Sequence, residues 1–138
     1  MMRYFYVILM FLLIMGCTKN GSTDPINYQT SVLLNNSSGL GKWKLSSLKF
    51  GTVVQNLTAS QIAYVKHYTA DLKFSDTDGL IGTWSMLSAD SLVEVFTNFS
   101  SGVSVTQVYK INSISTTQLN LTYTVNGTEI NAIYTATM

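Results

Sequence analysis

Few side chains in this sequence could do chemistry, and their spacing does not favour it. His67 is the single histidine, and it lies next to Lys66 in a segment without a cysteine. A zinc site needs about four such ligands, and a catalytic serine needs a histidine that an acid orients. The sequence offers neither arrangement. We therefore predict no metal site and no cofactor, with His67 at an exposed or edge position.

The acidic residues suggest a calcium site that the spacing does not complete. Asp76-Thr77-Asp78-Gly79 resembles the beginning of an EF-hand loop, in which a bidentate Glu occupies the twelfth position. Counted from Asp76, that position is Leu87. Asp and Gly also favour tight turns for local reasons. We therefore predict a β-turn at this segment.

Three further carboxylates, Asp90, Glu94 and Glu129, could act as an acid and a base, but nothing brings two of them to a glycosidase spacing. Glu94 and Glu129 alternate with apolar neighbours, so we expect both to face outwards. A Gly-x-Ser-x-Gly nucleophile motif is also absent from the sequence. We predict a protein that is not an enzyme.

Asp90-Ser91-Leu92 resembles the short O-glycosylation motif of Bacteroidetes, and chance composition is the alternative explanation.

Cys17 is the single cysteine, so the chain cannot form an intramolecular disulfide. It follows an apolar run from Tyr4 to Met15, which Arg3 precedes. As a helix this run would be roughly 18 Å long, well short of the roughly 30 Å hydrocarbon core of a bilayer. Its length and flanks favour a signal peptide over a membrane-spanning helix.

The segment Leu13-Ile14-Met15-Gly16-Cys17 resembles the lipobox of bacterial lipoproteins, with Met in place of the usual small residue before Gly. The resemblance implies cleavage before Cys17, a diacylglyceryl group on its sulfur and acylation of the new amino terminus. Two or three acyl chains give a stable membrane anchor. Thr18 stands where many enteric lipoproteins of the inner membrane carry Asp. We therefore expect anchoring in the outer membrane, with the leaflet left open.

The chain divides into a signal peptide (1–16), a lipidated cysteine with a flexible tether (17–39) and one domain (40–138). The tether holds Gly, Ser, Asn and the only proline, a spacer composition. Its apolar segment 32–34 either packs against the domain or lies on its surface.

Seven of the eight basic residues follow Cys17, because Arg3 precedes it, and seven acidic residues balance them. We expect no nucleic-acid partner, because such binding needs a basic patch.

Short apolar segments with β-branched and aromatic residues, separated by turn residues, predict an all-β domain. Asn126-Gly127 is the favoured pair for a type I′ turn and predicts a terminal hairpin. The face of the first strand that carries the apolar residues changes at Ser46-Ser47, which predicts a bulge there. The predicted hairpin pairs are Val125 with Thr128, Tyr123 with Ile130, Leu121 with Ala132, and Leu119 with Tyr134.

A single short helix is predicted near residues 58–68. Thr58 and Gln61 have the spacing of a capping box, in which each side chain bonds the other residue's backbone. Ile62, Val65 and Tyr68 form a narrow apolar stripe at helical spacing. We expect this helix to cover one end of the domain.

Two Gly-x-Trp segments, Gly41-Lys42-Trp43 and Gly82-Thr83-Trp84, begin predicted strands. The first resembles the signature of lipocalins, and the order of motifs over 40–138 is similar to lipocalin-like lipoprotein domains of Bacteroidetes. The resemblance implies a small antiparallel up-and-down β-barrel of about eight strands. The domain departs from lipocalins because it has no arginine to pack over the Trp. Its helix also comes early, as in the fatty-acid-binding relatives.

Aromatic residues on the inferred inner face leave two functions open, because a barrel of this size either fills with side chains or holds one small ligand. A cavity of some 300 Å³ or more would favour binding of a small apolar or amphipathic ligand. A filled core would favour an accessory lipoprotein, an inhibitor or assembly partner of another envelope protein, acting through loops such as Asn98 to Gly102. The candidate ligand-binding residues are Trp43, Trp84, Tyr123 and Tyr134.

Overall fold

The computed structural model describes residues 24–97 and 101–138, so Cys17 and the predicted signal peptide lie outside the described residues. No helix in these ranges is long and apolar enough to cross a membrane. The elements are α1 Pro25–Leu34, β1 Lys42–Phe50, β2 Val53–Val54, α2 Ala59–Ala63, β3 Val65–Tyr68, β4 Lys73–Asp76, β5 Ile81–Ser88, β6 Ser91–Thr97, β7 Ser104–Ile114, β8 Gln118–Val125 and β9 Thr128–Ala136.

All strands except the two-residue β2 form a closed antiparallel barrel, in which β1 pairs with both β3 and β9. This confirms the predicted all-β class with about eight strands. One stretch of the wall is incomplete, because β3 pairs only with residues 42–44 of β1 and β2 only with residues 49–50. Between them, two backbone hydrogen bonds join β1 to the α2 region, from Leu45 N to Tyr64 O (3.0 Å) and from Gln55 N to Leu48 O (2.9 Å).

The terminal hairpin β8–β9 has the predicted register. Each of the four predicted residue pairs is present. Asn126 and Gly127 have φ of 49° and 77°, which is the left-handed region that a type I′ turn requires. The predicted bulge is also confirmed, since the register of β1 against β9 shifts between Leu45 and Ser47.

The predicted helix is present but much shorter than expected. The Thr58–Gln61 capping box forms, but α2 ends at Ala63 and residues 65–68 form strand β3. The prediction of a helix running to Tyr68 was wrong. A helix of five residues has little stability of its own. Pairing with β1 and β4 provides the next residues with backbone hydrogen bonds and turns alternate side chains into the core.

Helix α1 lies within the range that the sequence predicts as tether. Pro25 occupies its first turn, and the Asp24 carboxylate accepts a hydrogen bond from Ile26 N (3.0 Å). Leu33 is fully buried in the core, and its carbonyl accepts a hydrogen bond from Trp43 Nε1 (2.9 Å). Of the two alternatives for the apolar segment 32–34, packing against the domain is the one observed, because apolar residues of α1 cover one end of the barrel.

In both Gly-x-Trp segments, close packing around the backbone requires the glycine. Gly41 has φ of 61°, and a Cβ there would collide with the Tyr68 carbonyl oxygen. A Cβ on Gly82 would lie 2.7 Å from Cε1 of Phe74 and against the Val95 carbonyl oxygen. The glycines thus permit close contacts that a side chain would prevent.

The two ends of the barrel differ. The connections 69–72, 89–90 and 115–117 lie at the end that α1 covers, which we call the closed end. The connections 77–80 and 126–127 lie at the opposite, open end, beside α2. Aromatic rings fill the core towards the closed end, with Tyr68 packed edge-on against Trp84 at a centroid distance of 5.9 Å.

We expect Trp43→Ala to lower the free energy of unfolding by about 3–5 kcal/mol, since it removes a fully buried ring and leaves a cavity. Trp43→Phe should cost about 1–2 kcal/mol, mainly through the lost hydrogen bond to Leu33. Urea denaturation followed by circular dichroism measures both. A cost below about 1 kcal/mol for the alanine variant would show that Trp43 is not a core residue.

Candidate functional site

A cavity of about 260 Å³ opens at the open end of the barrel. Its wall combines the second half of β1, helix α2, the beginning of β3 and the inner faces of β7, β8 and β9. The lining residues are Leu45, Leu48, Ser60, Gln61, Tyr64, Lys66, Asp78, Tyr109, Tyr123 and Tyr134.

A buried ion pair lies at this cavity. Lys66 on β3 lines the cavity, and its Nζ is 2.7 Å from Oε1 and 2.6 Å from Oε2 of Glu94 on β6. Lys66 is 4% exposed and Glu94 is 0% exposed. Burying two charges is favourable only when both are closely paired and fully hydrogen-bonded. Two tyrosines complete that requirement.

Tyr68 and Tyr109 supply the remaining hydrogen bonds of the ion pair. The Tyr68 hydroxyl donates to Glu94 Oε1 at 2.6 Å, and the Tyr109 hydroxyl donates to Oε2 at 2.9 Å. Tyr109 also accepts from Lys66 Nζ at 3.0 Å, and the ammonium lies 4.7 Å from the centre of its ring. Burial, followed by the charge of Glu94, raises the pKa of both tyrosines well above 10, so they remain hydrogen-bond donors.

The position of Glu94 corrects the prediction that it faces outwards, which was wrong. Side chains two residues apart on a strand share a face, so Glu94 lies with Leu92 on the inner side. Val93 and Val95 on the outer side are apolar too, so the alternation in β6 did not reveal which face was buried. Recognising β3 as a strand would have given the missing signal, since Lys66 then faces the interior and requires an acid.

Tyr64 and Asp76 form a second polar contact beside the cavity. The Tyr64 hydroxyl donates to Asp76 Oδ2 at 2.8 Å, while Asp76 Oδ1 accepts from the backbone N–H of Asp78 and Leu80. Gly79 N also donates to the Asp76 carbonyl at 3.2 Å, which confirms the predicted β-turn. Burial raises the pKa of Tyr64 well above its usual value, and the nearby Tyr134 and Asp76 raise it further.

The hydroxyls of Tyr123 and Tyr134 have no hydrogen-bond partner within residues 24–97 and 101–138. Tyr134 is 3% exposed, and both residues line the cavity. The one fully enclosed unpartnered polar side-chain atom in those ranges is Gln29 Oε1, so the Tyr134 hydroxyl is reached by solvent from the cavity. Burial raises the pKa of both tyrosines, which keeps the two hydroxyls protonated.

Two of the four predicted ligand-binding residues, Tyr123 and Tyr134, therefore line the cavity. Trp43 and Trp84 do not, because they are packed in the core, with Trp84 Nε1 bonded to the Thr69 carbonyl at 3.1 Å. Contact between any of the four and a ligand stays a prediction. The sequence analysis did not identify Lys66 or Tyr64 as cavity-lining residues, because it placed both within or next to a helix.

The remaining candidates lie apart from the cavity. His67 is on the outer face of β3, opposite Lys42 and Ser75. Glu129 is exposed, as predicted. In the part of the chain that the structure describes, no three His, Cys, Asp or Glu side chains come close enough together to hold a metal ion.

Comparison of the chain with models of known protein families, with curated proteins and with solved structures gave no match.

We expect removal of one partner of the ion pair to be more damaging than removal of both. Lys66→Met and Glu94→Gln should each lower the free energy of unfolding by about 3–5 kcal/mol, because each leaves a buried group without its partner. The double variant should be more stable than either single variant. The Gln oxygen can still accept from one tyrosine hydroxyl, and without the Lys66 ammonium the Tyr109 hydroxyl oxygen is free to accept from the Gln NH2. Chemical denaturation of the four proteins gives the coupling. Additive losses would show that the two charges do not interact in the folded protein.

Proposed function

We propose that this protein is a non-enzymatic binding module that holds a small apolar or amphipathic molecule in the cavity at the open end of the barrel. The observation that carries the proposal is the Tyr134 hydroxyl, which belongs to a nearly buried side chain and has no partner in the described chain. Solvent reaches this hydroxyl from the cavity, so a polar group on a bound molecule can take the place of solvent as its hydrogen-bond partner.

The size of the cavity limits the ligand. Its volume of about 260 Å³ is below the roughly 300 Å³ at which typical ligand pockets begin. A small molecule fits inside, and a longer amphipathic molecule fits with one end only. Leu45 and Leu48 offer apolar contact, while the hydroxyls of Tyr123 and Tyr134 offer hydrogen bonds.

The filled half of the barrel favours a second candidate function. Trp43, Tyr68, Phe74 and Trp84 are all buried and fill the interior near the closed end. A barrel used only as a rigid scaffold would act through its surface, as an accessory or interaction lipoprotein. Residues 98–100 of the loop predicted for this role lie outside the described residues.

We further propose that the protein is a lipocalin-like lipoprotein anchored in the outer membrane through Cys17. The apolar run that ends in Gly16-Cys17 supports the anchor, and the closed barrel with its Gly-x-Trp segments is compatible with the resemblance. Since α1 begins at Pro25, seven residues (18–24) separate it from Cys17. Fully extended, they reach about 25 Å. The barrel would therefore lie close to the membrane surface.

Replacing the anchor residue tests the location. In a bacterial host, the wild-type chain should incorporate labelled palmitate and fractionate with the outer membrane. Cys17→Ser should lose the label, because the thioether cannot form. Lipid label retained by the serine variant would contradict anchoring at Cys17.

Blocking the mouth of the cavity tests ligand binding. We expect mass spectrometry of the gently purified protein, after exposure to a cell extract, to detect a bound small molecule. Ser60→Trp should reduce its amount at least tenfold, because residue 60 lines the cavity from an exposed position on α2. Ala63→Trp is the matched control, since residue 63 is exposed on the same helix and does not line the cavity.

Both tryptophan variants should unfold at the same denaturant concentration as the wild type. A wild-type protein that carries no molecule, or a Ser60→Trp variant that carries as much as the wild type, would refute binding in this cavity and favour the interaction lipoprotein.

A further inference from the structure

Among the described residues, the charged groups around the cavity leave no cation free to receive an acidic ligand. Lys66 is the only basic one of those that line the cavity. Its ammonium donates to both oxygens of Glu94 and to the hydroxyl of Tyr109. An ammonium has three N–H donors, so all three are in use. A ligand carboxylate would meet no unpaired positive charge here.

Negative groups outnumber the positive one. Asp78 lines the rim of the cavity, and its carboxylate takes part in no salt bridge within the described ranges. The Asp76 carboxylate is adjacent and is held by Tyr64. Together with Glu94, these make three carboxylates against the single ammonium of Lys66. Burial is the main cause of the raised pKa of Tyr134, and Tyr123, Glu94 and Asp76 raise it further.

Four tyrosine rings line the same space, those of Tyr64, Tyr109, Tyr123 and Tyr134. The face of an aromatic ring carries partial negative charge and attracts cations within about 6 Å of its centre. Lys66 already makes such a contact, 4.7 Å from the centre of the Tyr109 ring. A cation bound in the cavity would make the same contact with any ring face that it reaches.

We infer that the cavity selects its ligand by charge and takes a small aromatic or aliphatic amine in its cationic form, while it rejects carboxylates. This inference rests on the proposed binding function. The amine would donate to the free Tyr134 hydroxyl or to Asp78, and its carbon skeleton would contact Leu45 and Leu48. The unpartnered Tyr134 hydroxyl and the unneutralised Asp78 are the two independent observations behind it.

Three probes with the same carbon skeleton test this selection. Phenethylamine, 2-phenylethanol and phenylacetate carry a positive, neutral and negative end at pH 7. We expect calorimetric titration of the full chain in detergent to give the tightest binding for the amine, at least tenfold tighter than for the carboxylate. The alcohol should fall between them. The difference between amine and carboxylate should shrink as salt is added, because salt screens charges near a protein surface.

Asp78→Asn tests whether the rim charge contributes. It should weaken amine binding about threefold, which is the size of effect that an exposed charge pair has, and leave the affinity for the alcohol unchanged. Asp90→Asn removes the same charge from an exposed residue at the closed end and should alter neither affinity.

The outcomes separate the two proposals. Carboxylate binding as tight as amine binding would overturn charge selection while the binding function stands, as would an Asp78→Asn variant that keeps the full preference for the amine. Binding of none of the three probes would count against the cavity as a binding site, and charge selection would fall with it.

Discussion

The ion pair between Lys66 and Glu94 is the constraint on which the rest of the interior depends. A charge withdrawn from water is tolerated only when its partner and its remaining hydrogen bonds are supplied together. Here β3 provides the lysine and Tyr68, β6 provides the glutamate, and β7 provides Tyr109. Strands β3 and β6 are not neighbours in the sheet, so the pair links opposite parts of the wall through the interior.

This link divides the barrel into two halves with different roles. Towards the closed end, α1 and the indole of Trp43 seal the core, and aromatic rings fill it. Towards the open end, tyrosine rings leave a cavity, and two of their hydroxyls have no partner in the described chain. Filled and empty regions thus coexist in one barrel. A filled core and an open cavity look like exclusive alternatives from composition, but each describes a different end of this barrel.

Local signals in the sequence predicted local structure well. Asn126-Gly127 determined the terminal hairpin and its register, and Thr58-Gln61 identified where α2 begins. Features that depend on distant partners were missed. Glu94 is buried because Lys66, 28 residues earlier, meets it in the interior. The periodicity of β6 could not reveal this, since both of its faces carry apolar residues.

Helix α1 and strand β3 were missed for a related reason. Both are short, and their own residues only weakly favour the conformation they adopt. Leu33 gains its burial from Trp43, and β3 gains its hydrogen bonds from β1 and β4. The lining of the candidate site was therefore predictable where it lies on long strands, as at Tyr123 and Tyr134, and not where it lies on β3.

The incomplete stretch of wall between β3 and β2 affects how the barrel moves. A strand ladder opens only when many hydrogen bonds break together, whereas two backbone bonds join β1 to the α2 region here. Local opening follows the least stable contacts of a fold. Amide protons of residues 55–64 should therefore exchange with solvent sooner than those of the surrounding strands. Sideways displacement of this one short helix therefore breaks fewer backbone hydrogen bonds to β1 than parting β1 from β9 would.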